Sequence, residues 1–513
     1  MQNGRLLRDI LESGAPADAM FIFDDGPVTR GDFKRKVEQT AAWLTAHGIG
    51  AGDVIAVWLV NRVEWLSLLF AAARVGAIVA AVNTRYRAAD VAHVVGLSGA
   101  KLLVLEPGFR SIDFPGILAD VEPSSVPELR QVAIVGAGDI ELNWRTVRFD
   151  AFQHDPKPPA PRDDADAPVL LFTTSGTTKG PKLVAHSQNT LTSHAQNIAR
   201  ALGLSAQEHS LLAMLPFCGT FGMASLLAFV AAGAPIHVLD AFDAQPAFDA
   251  LRRARITHSF GSDEMFRRIL ALTGEQRPFP HVRLFGFAAF QPGWREFAAL
   301  AAARGLPLHG LYGSSEVQAL FAIGRADVAF EDRIECGGWP MSPEAHVRVR
   351  DMETGELAET GTSGELEIAA PSRFLGYFKN PAATSEATTA DGFFRTGDIG
   401  RMRADGSFVY ETRAGDAMRL GGFLVGPSEI EDELKHCAGV ADAQVVAVEI
   451  GGQARCAAFV IPQSGALLSP DDLVSPVRAR LANYKTPARI YFIEAFPVTD
   501  SANGVKIQRA KLR

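Results

Sequence analysis

From Asp53 onward the chain alternates short apolar strands with helices, and this alternation restricts its fold more than any other feature. A strand signal at Val54 to Val60 is followed by a helix signal at Trp65 to Val75. Further strand signals recur at Ile78 to Val82, Lys101 to Leu105, Val132 to Val135, Val169 to Thr173, Ile236 to Leu239, Thr257 to Phe260 and Arg283 to Phe285. Strands that alternate with helices form βαβ units, so we expect one large α/β body with a largely parallel sheet.

The pattern changes to strands and turns after Phe330, with signals at His346 to Arg350 and Gly364 to Ala369, and it changes again near Arg413. The last part carries helix and strand signals at Pro427 to Lys435, Ala443 to Val448, Ala457 to Ile461, Asp471 to Leu481 and Ala488 to Ile493. These predict a small α+β domain of about a hundred residues. The 513 residues exceed the size of one hydrophobic core. We therefore expect an N-terminal domain over 1–412 and a C-terminal domain over 413–513.

Composition excludes some classes of function and location. A formal net charge of -8 argues against a nucleic-acid binder that neutralises phosphates. The 4 cysteines are scattered, with no CxxC metal pair, which fits a reducing setting. Residues Met1 to Ala15 lack the basic and then apolar pattern of a signal peptide. We expect a cytoplasmic protein.

Leu211 to Ile236 carries no charged residue and is long enough to raise the question of a membrane span. Prolines and glycines interrupt it, at Pro216, Gly219, Gly222, Gly233 and Pro235, and leave only Met223 to Ala232 as a continuous helix signal. Backbone breaks are hard to satisfy in lipid, so we predict a buried helix in the core and no transmembrane segment.

The segment Thr173 to Lys182 follows a buried strand and holds two glycines, five hydroxyl residues and two lysines. Such a loop can direct backbone N–H groups, hydroxyls and ammonium groups toward one polyanion. It lacks the spacing of a Walker A loop. It is either a phosphate-binding loop or a flexible Ser/Thr/Gly turn with incidental lysines.

This loop resembles the phosphate loop TSGTTGxPKG of the adenylate-forming superfamily, which includes acyl-CoA synthetases, peptide-synthetase adenylation domains and luciferases. The resemblance departs at Lys179 and Leu183, which stand where glycines are usual. Further segments resemble family motifs in family order: Tyr312 to Glu316 (YGxTE), Arg395 to Asp398 (RTGD) and Gly504 to Arg509 (GKIxR, here with Val505 inserted). The ordered matches run from the phosphate loop to Arg509.

The resemblance implies an AMP-forming acyl-CoA synthetase that binds ATP with Mg²⁺. It implies a nucleotide site formed by Thr174, Ser175, Gly176, Thr177, Thr178, Lys179, Lys182, Ala289, Tyr312, Gly313, Ser315, Glu316, Asp398, Arg413 and Lys506. A tyrosine ring such as that of Tyr312 offers a face for adenine, although a lone tyrosine is more often part of a core. Glu316 supplies a hard oxygen for Mg²⁺, with Thr174 as a second candidate ligand. Asp398 is expected to accept the ribose hydroxyls.

Lys506, Glu316 and Lys182 are the expected catalytic residues. When a carboxylate attacks the α-phosphorus of ATP, a positioned cation stabilises the charge on the transferring group, and we assign this task to Lys506. A lysine in a basic tail would otherwise be a solvated charge. In this family the C-terminal domain then rotates, and the resemblance places the hinge at Gly415 and the approach to coenzyme A at Gly421 and Gly422.

The resemblance also locates the acyl pocket, through Phe217, Gly219, Phe221, Gly222 and Ala288. Many relatives have a His or Trp gate where this chain has Gly219, and those that activate α-amino acids carry an Asp in this segment. The segment has no charge here, which favours an apolar, fatty or other acid without an α-amine. Little room exists between Gly364 and Asp398 for the insertion of fatty acyl-AMP ligases, so coenzyme A is the leading acceptor.

Two other functions remain open at this stage. An acyl-AMP ligase that loads a free-standing carrier protein would share every residue up to the thiol step. An AMP-binding protein without catalysis would agree with the departures at Lys179, Gly415 and Val505. The sequence also leaves open a homodimer and does not name the acid.

Overall fold

The computed structural model describes residues 5–136, 140–155, 157–174, 181–289, 294–352, 354–413, 418–421, 423–425, 427–501, 504–507 and 509–512. The first part of the chain alternates strands and helices as the sequence predicts. Its strands are β1 (Ala19–Phe23), β2 (Gly26–Thr29), β3 (Val54–Trp58), β4 (Ile78–Ala81), β5 (Ala100–Leu105), β6 (Gln131–Ile134), β7 (Arg145–Arg148), β8 (Pro168–Thr173) and β9 (Leu183–Ser187). Its helices are α1 (Leu7–Ile10), α2 (Arg30–Ala46), α3 (Val63–Val75), α4 (Ala88–Ser98), α5 (Phe114–Ala119) and α6 (Gln188–Ala201).

The middle of the chain begins as α/β and ends as antiparallel strands. Its strands are β10 (Leu211–Ala213), β11 (Ile236–Val238), β12 (His258–Ser262), β13 (Leu284–Ala288), β14 (Leu308–Ser314), β15 (Gln318–Ile323), β16 (Gly337–Pro340), β17 (His346–Arg350), β18 (Gly364–Ala369), β19 (Gly376–Tyr377), β20 (Phe394–Met402) and β21 (Phe408–Arg413). Its helices are α7 (Thr220–Ala232), α8 (Ala244–Arg253), α9 (Asp263–Leu270), α10 (Trp294–Ala303), α11 (Phe330–Arg333) and α12 (Pro381–Glu386).

The C-terminal part has sheets of its own. Its strands are β22 (Met418–Leu420), β23 (Phe423–Val425), β24 (Val440–Ile450), β25 (Gln453–Pro462), β26 (Arg489–Phe492), β27 (Val498–Ser501) and β28 (Gly504–Ile507), and its helices are α13 (Pro427–Lys435) and α14 (Pro470–Arg480). Strand β25 pairs antiparallel with β24 and parallel with β26, while β22–β23 and β27–β28 are hairpins. The fold class is confirmed: a large N-terminal α/β domain with mixed sheets and a small α+β C-terminal domain.

Two sheets form the large domain. One has the order β19-β9-β8-β4-β3-β5-β6-β7, and the other has the order β17-β18-β20-β21-β16-β15-β14-β13-β12-β10-β11-β1-β2. Strands β3 to β8 are parallel, whereas β9 turns back against β8. Strands β14 and β15 are antiparallel and begin the antiparallel half of the second sheet. The candidate site lies where β8, β14 and β20 end or bend.

The main hydrophobic core lies between the two sheets and includes α2, α3 and α7. Helices α4 and α5 cover the other face of the first sheet, and α8, α9 and α10 cover the outer face of the second. A separate core fills the C-terminal domain. The apolar helices are therefore buried against the sheets. Burial of α7 in this core explains why no charged residue occurs between Leu211 and Ile236.

The uncharged stretch is divided between β10, α7 and the start of β11, of which the sequence predicted the helix and β11. Helix α7 begins at Thr220, three residues before the predicted start, and ends at Ala232, followed by the C-cap Gly233, whose φ of 72° suits glycine. Nearly all of its side chains are buried in the core. Within the described ranges, no helix has both the length and the hydrophobicity that crossing a membrane requires.

The small differences from the predicted elements lie at their ends. Strand β24 runs over Val440–Ile450 and β25 over Gln453–Pro462, so each is longer than its apolar signal. The two strands pair along their whole length, and this pairing extends them beyond the buried residues. The domain boundary at Thr412 to Asp416 stays a prediction.

Candidate active site

The predicted phosphate loop joins the antiparallel strands β8 and β9. The backbone N–H of Thr174 donates to the carbonyl of Lys182 at 2.8 Å and closes the two ends of the loop. The Thr174 hydroxyl lies 3.5 Å from the same carbonyl. Residues Ser175, Gly176, Thr177, Thr178 and Lys179 lie outside the described residues, so their phosphate-binding role stays a prediction.

Tyr377, which no sequence motif identified, connects Lys182 with Glu316. The Tyr377 hydroxyl donates to Glu316 Oε1 at 3.0 Å in a buried setting. The Lys182 ammonium lies over the Tyr377 ring, 4.4 Å from its centroid. Strand β19 pairs with β9, and in this pairing Tyr377 lies opposite Val184. One side chain thus contacts both the loop lysine and the predicted magnesium ligand.

Tyr312 and Asp398, which are predicted to bind adenine and ribose, contact each other. Tyr312 lies in β14 and packs in a core cluster, and its hydroxyl donates to Asp398 Oδ2 at 2.8 Å. Its ring packs edge-on against Phe408 with centroids 5.1 Å apart and lies near Tyr410 at 5.9 Å. The ring is largely enclosed by these neighbours, so adenine stacking on Tyr312 stays a prediction. The hydroxyl fixes the Asp398 carboxylate, which the sequence alone did not indicate.

Two buried histidines hold the segment that carries Ser315 and Glu316. A ring nitrogen of His186 lies 2.8 Å from the Ser315 carbonyl, and one of His194 lies 2.7 Å from the Ala319 carbonyl. A carbonyl only accepts, so each of these nitrogens carries hydrogen. Burial lowers the pKa of His186 and of His194 to about 4. Both rings are therefore neutral at pH 7.

The same segment requires a glycine at Gly313. A Cβ at this position would lie 2.5 Å from the Ala319 Cα, so no side chain fits between β14 and β15 there. Ser315 lies near the start of α7, and the Thr220 hydroxyl is 3.4 Å from the Ser315 hydroxyl. The nucleotide motif is thus linked to the segment predicted to bind the acyl group.

Of the residues predicted to form the acyl pocket, Phe217 and Gly219 lie between β10 and α7, while Phe221 and Gly222 lie in the first turn of α7. The Phe217 N–H donates to Asn61 Oδ1 at 2.8 Å, and the Asn61 amide donates in turn to the Leu215 carbonyl at 2.9 Å. A Cβ on Gly222 would lie 2.2 Å from the Pro216 carbonyl oxygen, so this glycine is required. Gly219 is the N-cap of α7.

The remaining predicted pocket residues differ in burial. Phe217 is buried, whereas Phe221 is half-buried and packs on the main core. Ala288 ends β13 opposite Ser262, and Ala289 follows it, half-buried. The sequence did not identify Cys218, whose pKa is raised to about 11 by burial, so its thiol is neutral at pH 7. The pocket segment is apolar and uncharged in the structure, as predicted.

The residues predicted from the C-terminal part are only partly described. Arg413 ends β21 opposite Asp398, and Lys506 lies in β28 opposite Thr499. The structure describes the backbone of these two residues and not their side chains. Gly415 and Gly422 lie outside the described residues. Gly421 has a φ of 57°, and a Cβ there would lie 2.9 Å from the Tyr484 Cβ.

The residues fit a magnesium ion that is shared with substrate phosphates. Among the described residues no group of three or more His, Cys, Asp or Glu side chains could enclose a metal by itself. Mg²⁺ is usually held by one or two carboxylates together with phosphates rather than by a closed protein cage. The single buried carboxylate of Glu316, oriented by Tyr377, matches that requirement.

Comparison with known proteins identifies the family. The model described as AMP-binding enzyme matches residues 12–378, and the model described as AMP-binding enzyme C-terminal domain matches residues 429–503. The chain belongs to the AMP-binding enzyme family. The predicted membership of the acyl-CoA synthetases in the adenylate-forming superfamily is confirmed, and with it the predicted AMP-forming acid–thiol ligase.

Relatives of this AMP-binding enzyme align along nearly the whole chain. YngI of Bacillus subtilis (strain 168), named as an acyl-CoA synthetase, is 29% identical over 539 residues, covering 99% of this chain and 96% of YngI. The 3-hydroxybenzoate–CoA ligase of Aromatoleum sp. (strain CIB) is 29% identical over 495 residues, with 95% and 91% covered. The o-succinylbenzoate CoA synthetase of Bacillus subtilis overlays with a TM-score of 0.83 at 21% identity, with 99% and 98% covered. At this identity the overlay establishes the fold.

The sequence motifs of this AMP-binding enzyme did not identify the residues that hold the predicted site residues in place. Four such residues contact the predicted site residues or the segment beside them, at sequence separations of 61 to 156: Tyr377, His186, His194 and Asn61. The glycine before Tyr377 is a local feature that could have marked this segment. Gly376 has a φ of 147°, and a Cβ there would lie close to Thr384, so the position favours glycine. The other contacts have no local pattern.

Proposed function

We propose that this enzyme ligates an apolar carboxylic acid without an α-amine, aliphatic or aromatic, to coenzyme A in two steps. ATP and the acid first give an acyl adenylate and pyrophosphate, and the thiol of coenzyme A then displaces AMP to give the thioester. The coarser activity, ATP-dependent carboxylate–CoA ligation, is supported by the family match and the relatives. The acid class and the residue roles are the proposal.

The hydrogen bonds from two tyrosines to two carboxylates are the observation that carries the residue roles. Tyr377 bonds to Glu316 and Tyr312 bonds to Asp398, both in buried settings. A carboxylate that is held by a buried donor keeps one orientation, which lowers the entropy cost of binding a ligand. We assign Asp398 to the ribose and Glu316 to Mg²⁺. The ion would neutralise phosphate charge when bound.

In the first step the chain has to bring the acid carboxylate to the α-phosphorus of ATP. An oxygen of the carboxylate forms the new bond to phosphorus, and the bond to pyrophosphate breaks with its electron pair leaving on pyrophosphate. Lys182 is assigned to the phosphates because it is fixed over the Tyr377 ring. Lys506, delivered by the β27–β28 hairpin, is assigned to the charge that develops on the transferring group.

In the second step the sulfur of coenzyme A attacks the acyl carbonyl carbon, and AMP leaves with the bonding electrons of the acyl–oxygen bond. The thiol proton passes to solvent as the sulfur attacks, so the products are the thioester, AMP and one proton. Gly421 is assigned to the passage of the thiol arm, because backbone without a side chain lets a ligand pass closely. Gly422 has the same assigned role, and Gly415 is the proposed hinge between the two steps.

The acid class follows from the pocket segment. Phe217 and Phe221 supply apolar surface, and Gly222 has no space for a side chain. No charged residue occurs from Leu211 to Ile236, so an ammonium group of an α-amino acid would find no carboxylate in this segment. The relative that is named for 3-hydroxybenzoate supports the inclusion of aromatic acids beside fatty ones.

A panel of acids tests the proposal. Pyrophosphate release is measured with short, medium and long aliphatic acids, benzoates, cinnamates and α-amino acids, each with and without coenzyme A. We expect release with apolar acids and acyl-CoA formation on addition of coenzyme A. Release with α-amino acids alone would contradict the acid class. Acid-dependent release without any acyl-CoA would point to a carrier protein as acceptor, and AMP binding without release would contradict catalysis.

A further inference from the structure

A buried cluster of three charged side chains joins the two domains. Lys485 follows α14 in the C-terminal domain, and its ammonium donates to Asp90 Oδ1 of the large domain at 3.0 Å. Only 4% of the Lys485 side chain and 3% of the Asp90 side chain are exposed. Glu429, in the first turn of α13, also accepts from the Lys485 ammonium, and 10% of its side chain is exposed. The cluster lies where α14 packs against α4.

The cluster is fixed from both sides. The second oxygen of Asp90 accepts the N–H of Arg87 at 3.1 Å, so the carboxylate also caps α4. The Tyr86 ring lies 5.2 Å from the ammonium and the Tyr484 ring 5.8 Å from it, one from each domain. Burial opposes the charge of Lys485, but Asp90 and Glu429 outweigh burial and raise the pKa of Lys485 well above its usual value.

The position of Asp90 and Lys485 on different domains makes their interaction depend on domain orientation. When the C-terminal domain rotates, Lys485 separates from Asp90, whereas Lys485 and Glu429 stay together on one domain. An interaction that exists in one state only shifts the equilibrium toward that state. The Asp90–Lys485 pair therefore contributes to the population of this orientation, and the Lys485–Glu429 pair does not.

The surroundings of the cluster indicate which step this orientation serves. Tyr484, next to Lys485, packs on Gly421, the residue assigned to the thiol arm. The Tyr484 ring also lies 5.8 Å from the Lys485 ammonium, which reaches Asp90 of the large domain. Gly421 is therefore close to the face of the C-terminal domain that contacts the large domain in this orientation.

We propose that the Asp90–Lys485 ion pair holds the C-terminal domain in the orientation for acyl transfer to coenzyme A, which makes both residues positioning residues for the second step. This inference rests on the two-step function proposed above. The pair acts on the domain and does not touch the reacting atoms, so its loss changes how often the orientation for transfer is reached.

Asp90→Asn tests the pair and Glu429→Gln is its matched control. Each change replaces one carboxyl group of the same cluster by an amide, and asparagine can still accept the Arg87 N–H. The two half-reactions are measured separately, as acid-dependent pyrophosphate release and as conversion of a pre-made acyl adenylate to acyl-CoA. For Asp90→Asn we expect conversion to fall by about tenfold while pyrophosphate release stays within about twofold. Glu429→Gln should leave the ratio of the two rates within about twofold.

Lys485→Met and the double variant complete the test. Lys485→Met should shift the ratio of the half-reactions in the same direction as Asp90→Asn, and the double variant should add little to either, because the interaction is already lost. Equal loss of both half-reactions in Asp90→Asn, or an unchanged ratio, would overturn the proposal. A shift of the ratio by Glu429→Gln as large as that by Asp90→Asn would also overturn it.

A distance measurement separates this inference from the proposed function. Spin labels are placed at Leu300→Cys and Leu467→Cys, one on each domain, after the part-exposed Cys336 and Cys437 are replaced by serine. We expect Asp90→Asn to broaden or move the distance distribution and Glu429→Gln to leave it unchanged. An unchanged distribution in Asp90→Asn would overturn the proposed pairing role. Absence of both half-reactions in the wild-type enzyme would overturn the proposed function and leave the distance test decisive for the pair.

Discussion

The proposed nucleotide face of the large domain, which comprises Tyr312, Tyr377 and the carboxylates they contact, differs from the contact between the two domains in the way it is held together. On the nucleotide face, Tyr312 and Tyr377 bond to carboxylates within one domain. At the domain contact, the Lys485 ammonium forms ion pairs with two carboxylates, one of which belongs to the other domain. The first arrangement persists in every domain orientation, whereas the second has to be broken and formed again if the domains rotate.

This difference matches what each region has to do. A hydrogen bond to a charged group contributes about 1.5–3 kcal/mol and fixes geometry, which suits residues that meet the same ligand in both steps. A buried ion pair gains little net free energy, because the desolvation of its charges offsets their attraction. Such a pair defines an orientation without making it permanent. The predictions that follow test each side of this comparison.

The largest expected effect concerns the histidines behind the nucleotide face. The pKa of His186 and of His194 in the folded chain is about 4, below the ordinary 6.5, because burial opposes their charge. The unfolded chain therefore binds more protons between these values, so the stabilisation is present above pH 6.5 and is lost as the pH falls through 4. Each histidine contributes about 3 kcal/mol to this loss. Thermal unfolding followed from pH 8 to pH 4 checks it.

A substitution at one of these histidines sharpens that measurement. In His186→Gln the amide can still donate to the Ser315 carbonyl but cannot take up a proton, so the loss of stability on acidification should be smaller by about 3 kcal/mol. His154→Gln is the matched control, because that ring is exposed. Equal acid sensitivity in all three proteins would show that the buried histidines are not responsible.

Lys506→Ala should have the second largest effect. Removal of one donor to a developing charge costs on the order of a hundredfold in rate, so acid-dependent pyrophosphate release should fall by that factor or more. Conversion of a pre-made acyl adenylate to the thioester should be largely spared, because the nucleotide face of the large domain is intact. Lys511→Ala, at an exposed lysine of the same tail, is the control and should change neither rate. Equal loss of both half-reactions would refute the division of labour.

Much of the fold could be predicted from the sequence because its signals are local. The alternation of apolar strands and helices predicted β3, β4, β5 and β8 to within two residues at each end, and the uncharged stretch was correctly assigned to the core. Other elements, such as β1, β2, β14 and β15, were not predicted. The pairing of β24 with β25 lengthened both strands beyond their apolar residues, since backbone pairing does not depend on hydrophobicity. Strand ends therefore could not be read from composition.

The candidate site was predictable only where a motif names the residue. Tyr312 and Asp398 come from separate motifs, and the sequence gave no indication that one bonds to the other. Tyr377 reaches Glu316 because β19 pairs with β9, a contact between segments about 190 residues apart. The pair of Asp90 with Lys485 spans 395 residues. Contacts at such separations arise from the tertiary fold, so no local pattern carries them.

Tyr377→Phe should have a smaller effect on the nucleotide face. The ring remains under Lys182, but the hydrogen bond to Glu316 is lost, which should slow pyrophosphate release by about tenfold. Because Glu316 is the proposed Mg²⁺ ligand, the Mg²⁺ concentration at half-maximal rate should rise. Tyr491→Phe, at an exposed tyrosine of the C-terminal domain, is the control. An unchanged Mg²⁺ dependence would remove Tyr377 from its assigned role.

At the domain contact we expect a smaller effect than that of the two histidines together, with the opposite pH dependence. Burial raises the pKa of Glu429 from 4.5 to about 7, against the attraction of Lys485, in a cluster that also faces Asp90, Tyr86 and Tyr484. The folded chain therefore holds a proton that the unfolded chain has released, so this stabilisation is present below pH 4.5 and is lost as the pH rises through 7. Between pH 5 and 8 we expect the unfolding midpoint of the C-terminal domain to fall, by about 4–8 °C for each kcal/mol of stability lost. Glu429→Gln, which cannot titrate, should remove that fall. If the midpoint of the variant still falls with pH as in the wild type, then Glu429 is charged throughout, and the two regions do not differ in the way their buried groups respond to protons.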